Sequence, residues 1–388
     1  MQIQVEKTLD VEVVERELAE LWKQTAGERD TDDDTAVMRA RVANLLVFVT
    51  NAEALEHAHQ MLNELTAIHP SRVLMMLGAI HDEDLDIEMS VESICQTDKR
   101  SGAKRLTCEE VTLKARGKFV SELPSAALPL LVPDLSTFLW WRNAPQVANK
   151  VFDTLLRATD RLVIDSAEFD DPERNLLETN KLYGHEQFNH VGVSDLNWAR
   201  LTLWRGLLAD FYDVLPYQSS LETIDSAQID YVAPEHYSTS VAPQALLIAG
   251  WLASRLGWKL VGKQPAETRD ETISFDFTNK SGQRLNLKLN HVEQAQRKPG
   301  RLVQVKLQSS KAGSGKVNAS FVVARSANNL HVLSEAKLGS NIHRGRVLPV
   351  RNRSAAHLLS REMEILCNDQ IYQEAVGVAA GLIERLTK

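Results

Sequence analysis

Cysteine is scarce in this chain: three residues in 388. A small, odd number gives no disulfide framework and fits a reducing, cytoplasmic compartment. Long apolar runs are missing too. None approaches the roughly 20 residues that a bilayer-spanning helix needs. The opening Met1-Gln2-Ile3-Gln4-Val5-Glu6 has no apolar stretch behind a basic end, so no secretory signal is read there. Positive charge is in deficit, with a formal net charge of −8. That balance opposes nonspecific binding to nucleic acid, which needs clustered Lys and Arg. Composition therefore points to a cytoplasmic protein with no membrane segment and no nucleic-acid partner.

Catalytic and nucleotide signatures are absent as well. A dinucleotide site needs Gly-x-Gly-x-x-Gly directly after the first strand of a β-α-β unit. Here that turn reads Thr50-Asn51-Ala52-Glu53-Ala54, without glycine and with an acid that repels pyrophosphate. Gly313-Ser314-Gly315-Lys316 imitates a phosphate loop, but its glycine spacing is wrong and Val317 stands where Ser or Thr is required. It reads as a hairpin turn. There is no Cys-x-x-Cys, His-Glu-x-x-His or Gly-x-Ser-x-Gly. His57 and His59 diverge on a helix and read as solvated, and His185 and His190 lack further ligands nearby. The acidic run at 30–34 lacks the glycine and distal Glu of a calcium loop, so it reads as a solvated linker. No catalytic, cofactor-binding or metal-ligating set is assigned.

Apolar content of 44% and charged content of 25% are those of an ordinary globular protein, with length enough for two domains. Val11, Val14, Leu18, Leu21 and Trp22 recur at helical spacing. A buried-type strand at 44–50, a helix carrying Leu55, Ala58, Leu62 and Leu65, and a second apolar strand at 72–77 make a β-α-β unit. Further strands are predicted at 89–95, 106–113, 137–141 and 161–165. The second half reads as a helix over 196–212 and another over 245–256. Alternating strands follow from 272 to 338, then helices at 355–366 and 370–386. The fold class is α/β (α+β overall). A Rossmann-like domain with a mixed sheet precedes an α+β domain with a largely antiparallel sheet. The domain reading is an N-terminal helix and linker at 1–38, the Rossmann-like domain at 39–171 and the second domain at 172–388.

Against these absences, two stretches stand out. Only 6% of the chain is aromatic, yet four of its seven tryptophans fall at Trp140, Trp141, Trp198 and Trp204. Phe138-Leu139-Trp140-Trp141-Arg142 and Ser194-Asp195-Leu196-Asn197-Trp198-Ala199-Arg200 both set tryptophan near arginine. Trp and Arg are frequent anchors of protein interfaces. Trp141, Arg142, Asp195, Asn197, Trp198 and Arg200 are the candidate group, read either as a partner surface or as a buried polar network between domains. An alternative is a sugar-phosphate- or nucleotide-binding sensor or enzyme using an interdomain cleft. There Arg142, Arg200 and Arg205 would hold phosphate bidentately. Cys95 and Cys108 are symmetric about Ser101-Gly102, a turn dipeptide, so a hairpin centred there sets them opposite one another as a candidate redox pair. Cross-strand Cβ atoms about 4.5–5.5 Å apart would need adjustment to reach the roughly 3.5–4.5 Å of a disulfide.

Longer blocks carry a resemblance. Cys108-Glu109-Glu110-Val111-Thr112-Leu113-Lys114-Ala115-Arg116-Gly117, Leu123-Pro124-Ser125-Ala126-Ala127-Leu128-Pro129-Leu130, Phe138-Leu139-Trp140-Trp141, Asp160-Arg161-Leu162-Val163-Ile164-Asp165-Ser166, Ser194-Asp195-Leu196-Asn197-Trp198-Ala199-Arg200-Leu201 and Leu247-Ile248-Ala249-Gly250-Trp251 occur in that order. Together they resemble the glucose-6-phosphate dehydrogenase assembly protein family (OpcA). The resemblance implies a non-catalytic partner of glucose-6-phosphate dehydrogenase that promotes its assembly and activates it allosterically in the oxidative pentose phosphate pathway. It implies no family-wide catalytic residues and no cofactor. Thiol redox state is linked to the role of cyanobacterial members, which makes thioredoxin a further candidate partner. This chain departs from a thioredoxin-type target in having no closely spaced dithiol.

Overall fold

The computed structural model describes residues 3–5, 11–27, 42–66, 68–80, 82–83, 85–97, 104–234, 241–267, 272–293, 298–312, 317–350, 353–365 and 367–386. The acidic run at 30–34 and the turns at 101–102 and 313–316 lie outside them. Up to residue 164 the elements are β1 (Ile3–Val5), α1 (Val11–Gly27), β2 (Ala43–Val49), α2 (Ala52–Thr66), β3 (Ser71–Ala79), β4 (Leu85–Thr97), β5 (Lys104–Arg116), α3 (Leu123–Ala127), β6 (Thr137–Trp141), α4 (Lys150–Arg157) and β7 (Arg161–Ile164). Next come α5 (Pro172–Leu182), β8 (Gly192–Asp195), α6 (Leu196–Arg200), α7 (Thr202–Asp210), α8 (Leu215–Leu221), β9 (Ser226–Tyr231), α9 (Pro243–Leu256) and β10 (Lys259–Glu267). The last are β11 (Thr272–Thr278), β12 (Arg284–His291), β13 (Leu302–Ala312), β14 (Val317–Arg325), β15 (His331–Leu338), β16 (Asn341–Pro349), α10 (Ala355–Glu362) and α11 (Gln370–Leu386).

The chain divides into two compact units, each assembled from separate segments. The first comprises Met1–Ile164, His185–Ser194 and Arg353–Asn368; the second comprises Asp165–Gly184, Asp195–Asn352 and Asp369–Lys388. The sequence reading places one boundary at 171/172. Two later segments return to the first unit through specific bonds. Gly192 N donates to the Asp160 carbonyl at 2.9 Å, and Ser354 Oγ donates to Glu64 Oε1 at 2.8 Å. A local apolar pattern shows that a strand or helix forms, not which sheet it joins.

In the first unit an eight-stranded sheet runs in the order β1-β4-β5-β3-β2-β6-β7-β8. β2 pairs in parallel with β3 and β6, β3 with β5, and β6 with β7, whereas β4 and β5 form an antiparallel hairpin. Counted from β2, the strands β5-β3-β2-β6-β7-β8 follow the order 3-2-1-4-5-6 of a dinucleotide-binding sheet. Every β2 residue is buried, as its unbroken apolar run requires of a central parallel strand. One buried charge interrupts this core. Arg72 on β3 donates from Nε and Nη2 to Glu109 Oε2 at 3.0 and 2.7 Å and from Nη1 to the Leu130 carbonyl at 3.1 Å. It also holds Glu15 of α1 through both terminal nitrogens.

The second unit carries another eight-stranded sheet, ordered β10-β11-β12-β9-β13-β14-β15-β16. Its neighbours are antiparallel except β9 and β12, which pair in parallel. Alternation sets Phe275, Phe277, Leu287, Ile229, Val305 and Phe321 in the core. The opposite face is polar and self-bonded: Asn290 Nδ2 and Gln304 Nε2 both donate to Asp230, each at 3.1 Å. Helices α9 and α11 pack together in this unit. A Cβ on Gly250 of α9 would lie 2.0 Å from the Ala375 carbonyl oxygen, so only glycine permits that approach.

Candidate functional site

In an open α/β sheet, ligands bind beyond the strand ends where the order reverses. In the first unit that point lies between β2 and β6. The β2–α2 turn stands there, its residues 50–53 exposed. Asn51 Oδ1 accepts from Ala54 N at 2.8 Å, so a side chain caps the helix terminus where a pyrophosphate would sit. Glu53 occupies the first helical turn.

Arg142 follows β6, on the other side of the same switch point. Its Nη1 donates to the Ala54 carbonyl at 3.1 Å, and its Nη2 lies 3.3 Å from His57 Nδ1. The guanidinium also lies over the Trp140 ring, 5.1 Å from its centroid. Trp141 is core: it is 2% exposed, stacks on Phe48 at 4.3 Å and meets Phe152 edge-on at 4.9 Å. His57 is exposed, as the sequence reading has it, with Arg142 Nη2 beside its ring. His59, on another side of α2, is half-buried, and its Nδ1 lies 2.8 Å from Glu110 Oε1.

The second unit gathers the other four candidates. Asp195, 1% exposed, caps α6 by accepting from Asn197 N at 2.8 Å, and also accepts from Ser166 N at 3.0 Å and Ser166 Oγ at 2.7 Å. Tyr372 Oη donates to its second oxygen at 3.2 Å. No cation touches this carboxylate among these bonds. Burial, and then the neighbouring Asp165, push its pKa up to about 6. Asn197 donates to Ser166 Oγ at 3.1 Å and accepts from Gln244 Nε2 at 2.7 Å. Arg200 grips Asp165 with two parallel bonds of 2.6 and 2.7 Å. Trp198 Nε1 donates to Asp369 at 2.8 Å, and Arg205 lies flat over its ring at 3.6 Å.

The six candidates therefore fall into two clusters, one in each compact unit, rather than one site. Trp141, Asp195, Asn197 and Trp198 are buried; Arg142 and Arg200 keep part of their surface. Sequence reasoning missed Asp165, Ser166, Gln244 and Tyr372, which complete the second cluster. Asp165 and Ser166 stood in a block that the resemblance marks; Gln244 and Tyr372 carried no local signal.

The cysteine register also differs from expectation. Cys108 pairs across the hairpin with Ile94, and Cys95 with Leu106, because the ladder that pairs Thr97 with Lys104 and Gln96 with Arg105 is not centred on Ser101-Gly102; a bulge between Ile94 and Cys95 then shifts the register by one. The Cys108 thiol is fully buried, and burial together with Glu110 and Glu109 raises its pKa well above the ordinary range. The side chain of Cys95 lies outside the described residues. Among the described residues no group of three or more His, Cys, Asp or Glu is placed to hold a metal, and no helix is long and apolar enough to cross a membrane.

Fold and site together define a two-unit α/β protein with a Rossmann-like sheet and a glycine-free first turn. A solved structure, glucose-6-phosphate 1-dehydrogenase from Mycobacterium avium, shares the fold: the TM-score is 0.52 at 10% identity, covering 90% of this chain and 92% of that one. Residues 62–181 match the family described as glucose-6-phosphate dehydrogenase subunit N-terminal domain, and residues 191–376 match its C-terminal domain. The chain belongs to this family, OpcA. A protein from Nostoc punctiforme named as OxPP cycle protein OpcA is 26% identical over 326 residues, 83% of this chain and 67% of its own length. One so named from Synechocystis is 26% identical over 82% of this chain and 65% of its own length.

Proposed function

We propose that this chain is a non-catalytic assembly factor and allosteric activator of glucose-6-phosphate dehydrogenase, acting in the oxidative pentose phosphate pathway by direct protein–protein binding. The observation that carries this reading is the glycine-free turn at the switch point. Asn51 caps α2, Glu53 follows, and Arg142 bonds across the crevice to Ala54 and His57. A Rossmann-like fold of this kind keeps surfaces for recognising other chains but lacks the glycine turn that positions a nucleotide phosphate. The family's description as a dehydrogenase subunit and the naming of its relatives after the OxPP cycle support the same partner. An activator works by binding one state of its partner better than another, and coupling of about 1–3 kcal/mol changes affinity roughly 5–150-fold.

Thioredoxin draws less support as a partner, since the Cys108 thiol is buried and stands opposite Ile94. The test is kinetic. The purified chain alone is expected to show no dehydrogenase activity and no saturable NADP binding by calorimetry at micromolar concentration. Added to the cognate dehydrogenase, it should copurify and change the substrate dependence of the rate. Arg142→Ala and Arg200→Ala, the two candidates with exposed surface, separate contact from support. Weakened binding by about 1 kcal/mol or more with unchanged melting makes them anchors. Parallel loss of stability makes them supports of the fold. Saturable NADP binding, or dehydrogenase kinetics indifferent to the chain, overturns the reading.

A further inference from the structure

The second sheet ends in two unlike edges. At one, β10 is closed. Its ladder with β11 shifts register between Val261 and Ala266, and Arg385 of α11 donates to the Val261 carbonyl at 3.3 Å. At the other, β15 is the only strand that pairs with β16 among the described residues. A strand paired on one side presents a row of N–H and C=O groups on the other.

Hydrogen bonds fix which groups of β16 face that open side. Arg346 N donates to Ser334 Oγ at 2.9 Å and Val350 N to the Leu330 carbonyl at 2.7 Å, so both point inward. Successive residues of a strand send their backbone groups to opposite sides, which turns Val347 outward. On β15, the His331 carbonyl accepts from Ser326 N at 2.8 Å, which aims His331 at the β14 side and the alternate residues Val332, Ala336 and Leu338 at β16. The ladder partners of Ala336 and Leu338, His343 and Asn341, are inward, so Ile342 and Arg344 join Val347 on the open side. β15 meets these three from regular alternate positions, Lys337, Glu335 and Leu333, because the extra residue of the register shift lies on β16.

The open edge therefore reads apolar, basic, apolar. Ile342 and Val347 are 56% and 61% exposed, which leaves their side chains available to a neighbour. No Asp or Glu occurs between Glu335 and Glu362, a stretch that holds Lys337, Arg344, Arg346, Arg351, Arg353 and Arg361 in a chain of net charge −8. Two acids answer them near β16: Glu335, opposite Arg344 in the ladder, and Asp210, which meets Arg346 at 2.9 Å. A guanidinium has donors for a carboxylate on either side. A second copy paired in the register that matches Ile342 to Val347 would set Arg344 against Arg344, and like charges directly opposite are destabilising. An acid at that place turns the repulsion into attraction.

We propose that β16 takes up, as an added strand, an extended segment of a partner chain whose alternate residues read apolar, acidic, apolar. Main-chain bonds to Ile342, Arg344 and Val347 supply the affinity, and the side-chain pattern supplies the choice of segment. The site uses one compact unit and is tested with a peptide, without the dehydrogenase, so it and the proposed function fail separately.

The test is fluorescence polarisation of the full chain with a labelled peptide, acetyl-Thr-Val-Thr-Glu-Thr-Val-Thr-amide, read together with amide hydrogen exchange. The peptide should bind saturably and slow exchange in β16 but not in β10. The same peptide with Lys in place of Glu should bind more weakly by about tenfold or more. Val347→Pro removes an outward N–H that β15 does not use. Its melting should stay near the parent's while binding falls about two- to tenfold, the scale of one hydrogen bond. Should that variant melt lower, Arg344→Glu decides, because it should invert the preference and take the Lys peptide over the Glu peptide. Equal binding of the two peptides, a preference unchanged in Arg344→Glu, or no slowing of exchange in β16 overturns the proposal. So does slowing that grows with protein concentration in the absence of peptide, which would make a second copy the occupant.

Discussion

The two units bury charge in opposite ways. In the first, Arg72 and Glu109 are 1% and 2% exposed, and the guanidinium meets two carboxylates, Glu109 and Glu15, directly. In the second, Asp195 is equally buried, but its bonds come from neutral donors: Ser166, Asn197 and Tyr372. A charge answered by charge is fixed in one state and fastens the elements that bear it. A charge answered by hydroxyls and amides is left able to take up a proton. The first arrangement joins β3, β5 and α1; the second joins the loop after β7, α6 and α11 and titrates.

The largest effect should come from breaking the first arrangement. Arg72→Met removes the Arg72 guanidinium from buried Glu109 and from Glu15 of α1. Removing one partner of a buried pair costs about 3–5 kcal/mol. Urea titration of the variant should show that loss. A change within about 1 kcal/mol would mean that the pair does not fasten the sheet.

Asp195→Asn probes the second arrangement with a smaller effect and a sign that can be stated beforehand. The amide keeps one acceptor for Ser166 N and Asn197 N and offers N–H groups to the two hydroxyls. In the native parent the carboxyl keeps its proton up to about pH 6, whereas in the unfolded chain it loses it near the ordinary value of 3.8. The native state therefore binds more protons between these limits, and stability falls as pH rises through them, then levels off. Each unit of difference is worth about 1.4 kcal/mol. Stability measured from pH 4 to 7 should decline for the parent relative to Asp195→Asn. Parallel curves would show that Asp195 ionises in the fold as it does in the unfolded chain.

Sequence pattern reached these two clusters unequally. The β2-α2-β3 unit was legible because central parallel strands must be apolar on both faces, as Leu45-Leu46-Val47-Phe48-Val49 and Val73-Leu74-Met75-Met76-Leu77 are. The glycine-free turn was legible too, since the missing residues have a steric meaning. By contrast β16 was missed: its residues are largely exposed, so they carry no apolar alternation to read. The helix expected over 196–212 is α6 and α7 with a tight turn between them, where Leu201 N bonds back to the Trp198 carbonyl at 3.0 Å. The partners of Arg200 and Asp195 were invisible for another reason. Tyr372 lies 177 positions from Asp195, and no local period encodes such a contact. The Cys95–Cys108 register failed because a Ser-Gly dipeptide does not fix the centre of a hairpin: the ladder pairs Thr97 with Lys104, one residue off symmetry about Ser101-Gly102, before any bulge is reached.

The smallest expected effect is chemical, and it reads the sign of the field in the first unit. Cys108 adjoins Glu109 and Glu110, and the excess of carboxylates there acts with burial to keep its thiol protonated. Only the thiolate is nucleophilic, so each unit of upward shift slows attack about tenfold. Cys367, by contrast, is exposed. Native alkylation should therefore label Cys367 readily and Cys108 only under unfolding conditions, as peptide mapping would report. Glu110→Gln should speed Cys108 labelling only modestly once any change in melting is allowed for, because burial is the larger cause. Mild oxidation should likewise leave no Cys95–Cys108 disulfide, since Ile94, not Cys95, stands opposite Cys108. Recovery of that disulfide from folded protein would show that the hairpin slips by a residue in solution, and would restore the pair as a redox switch.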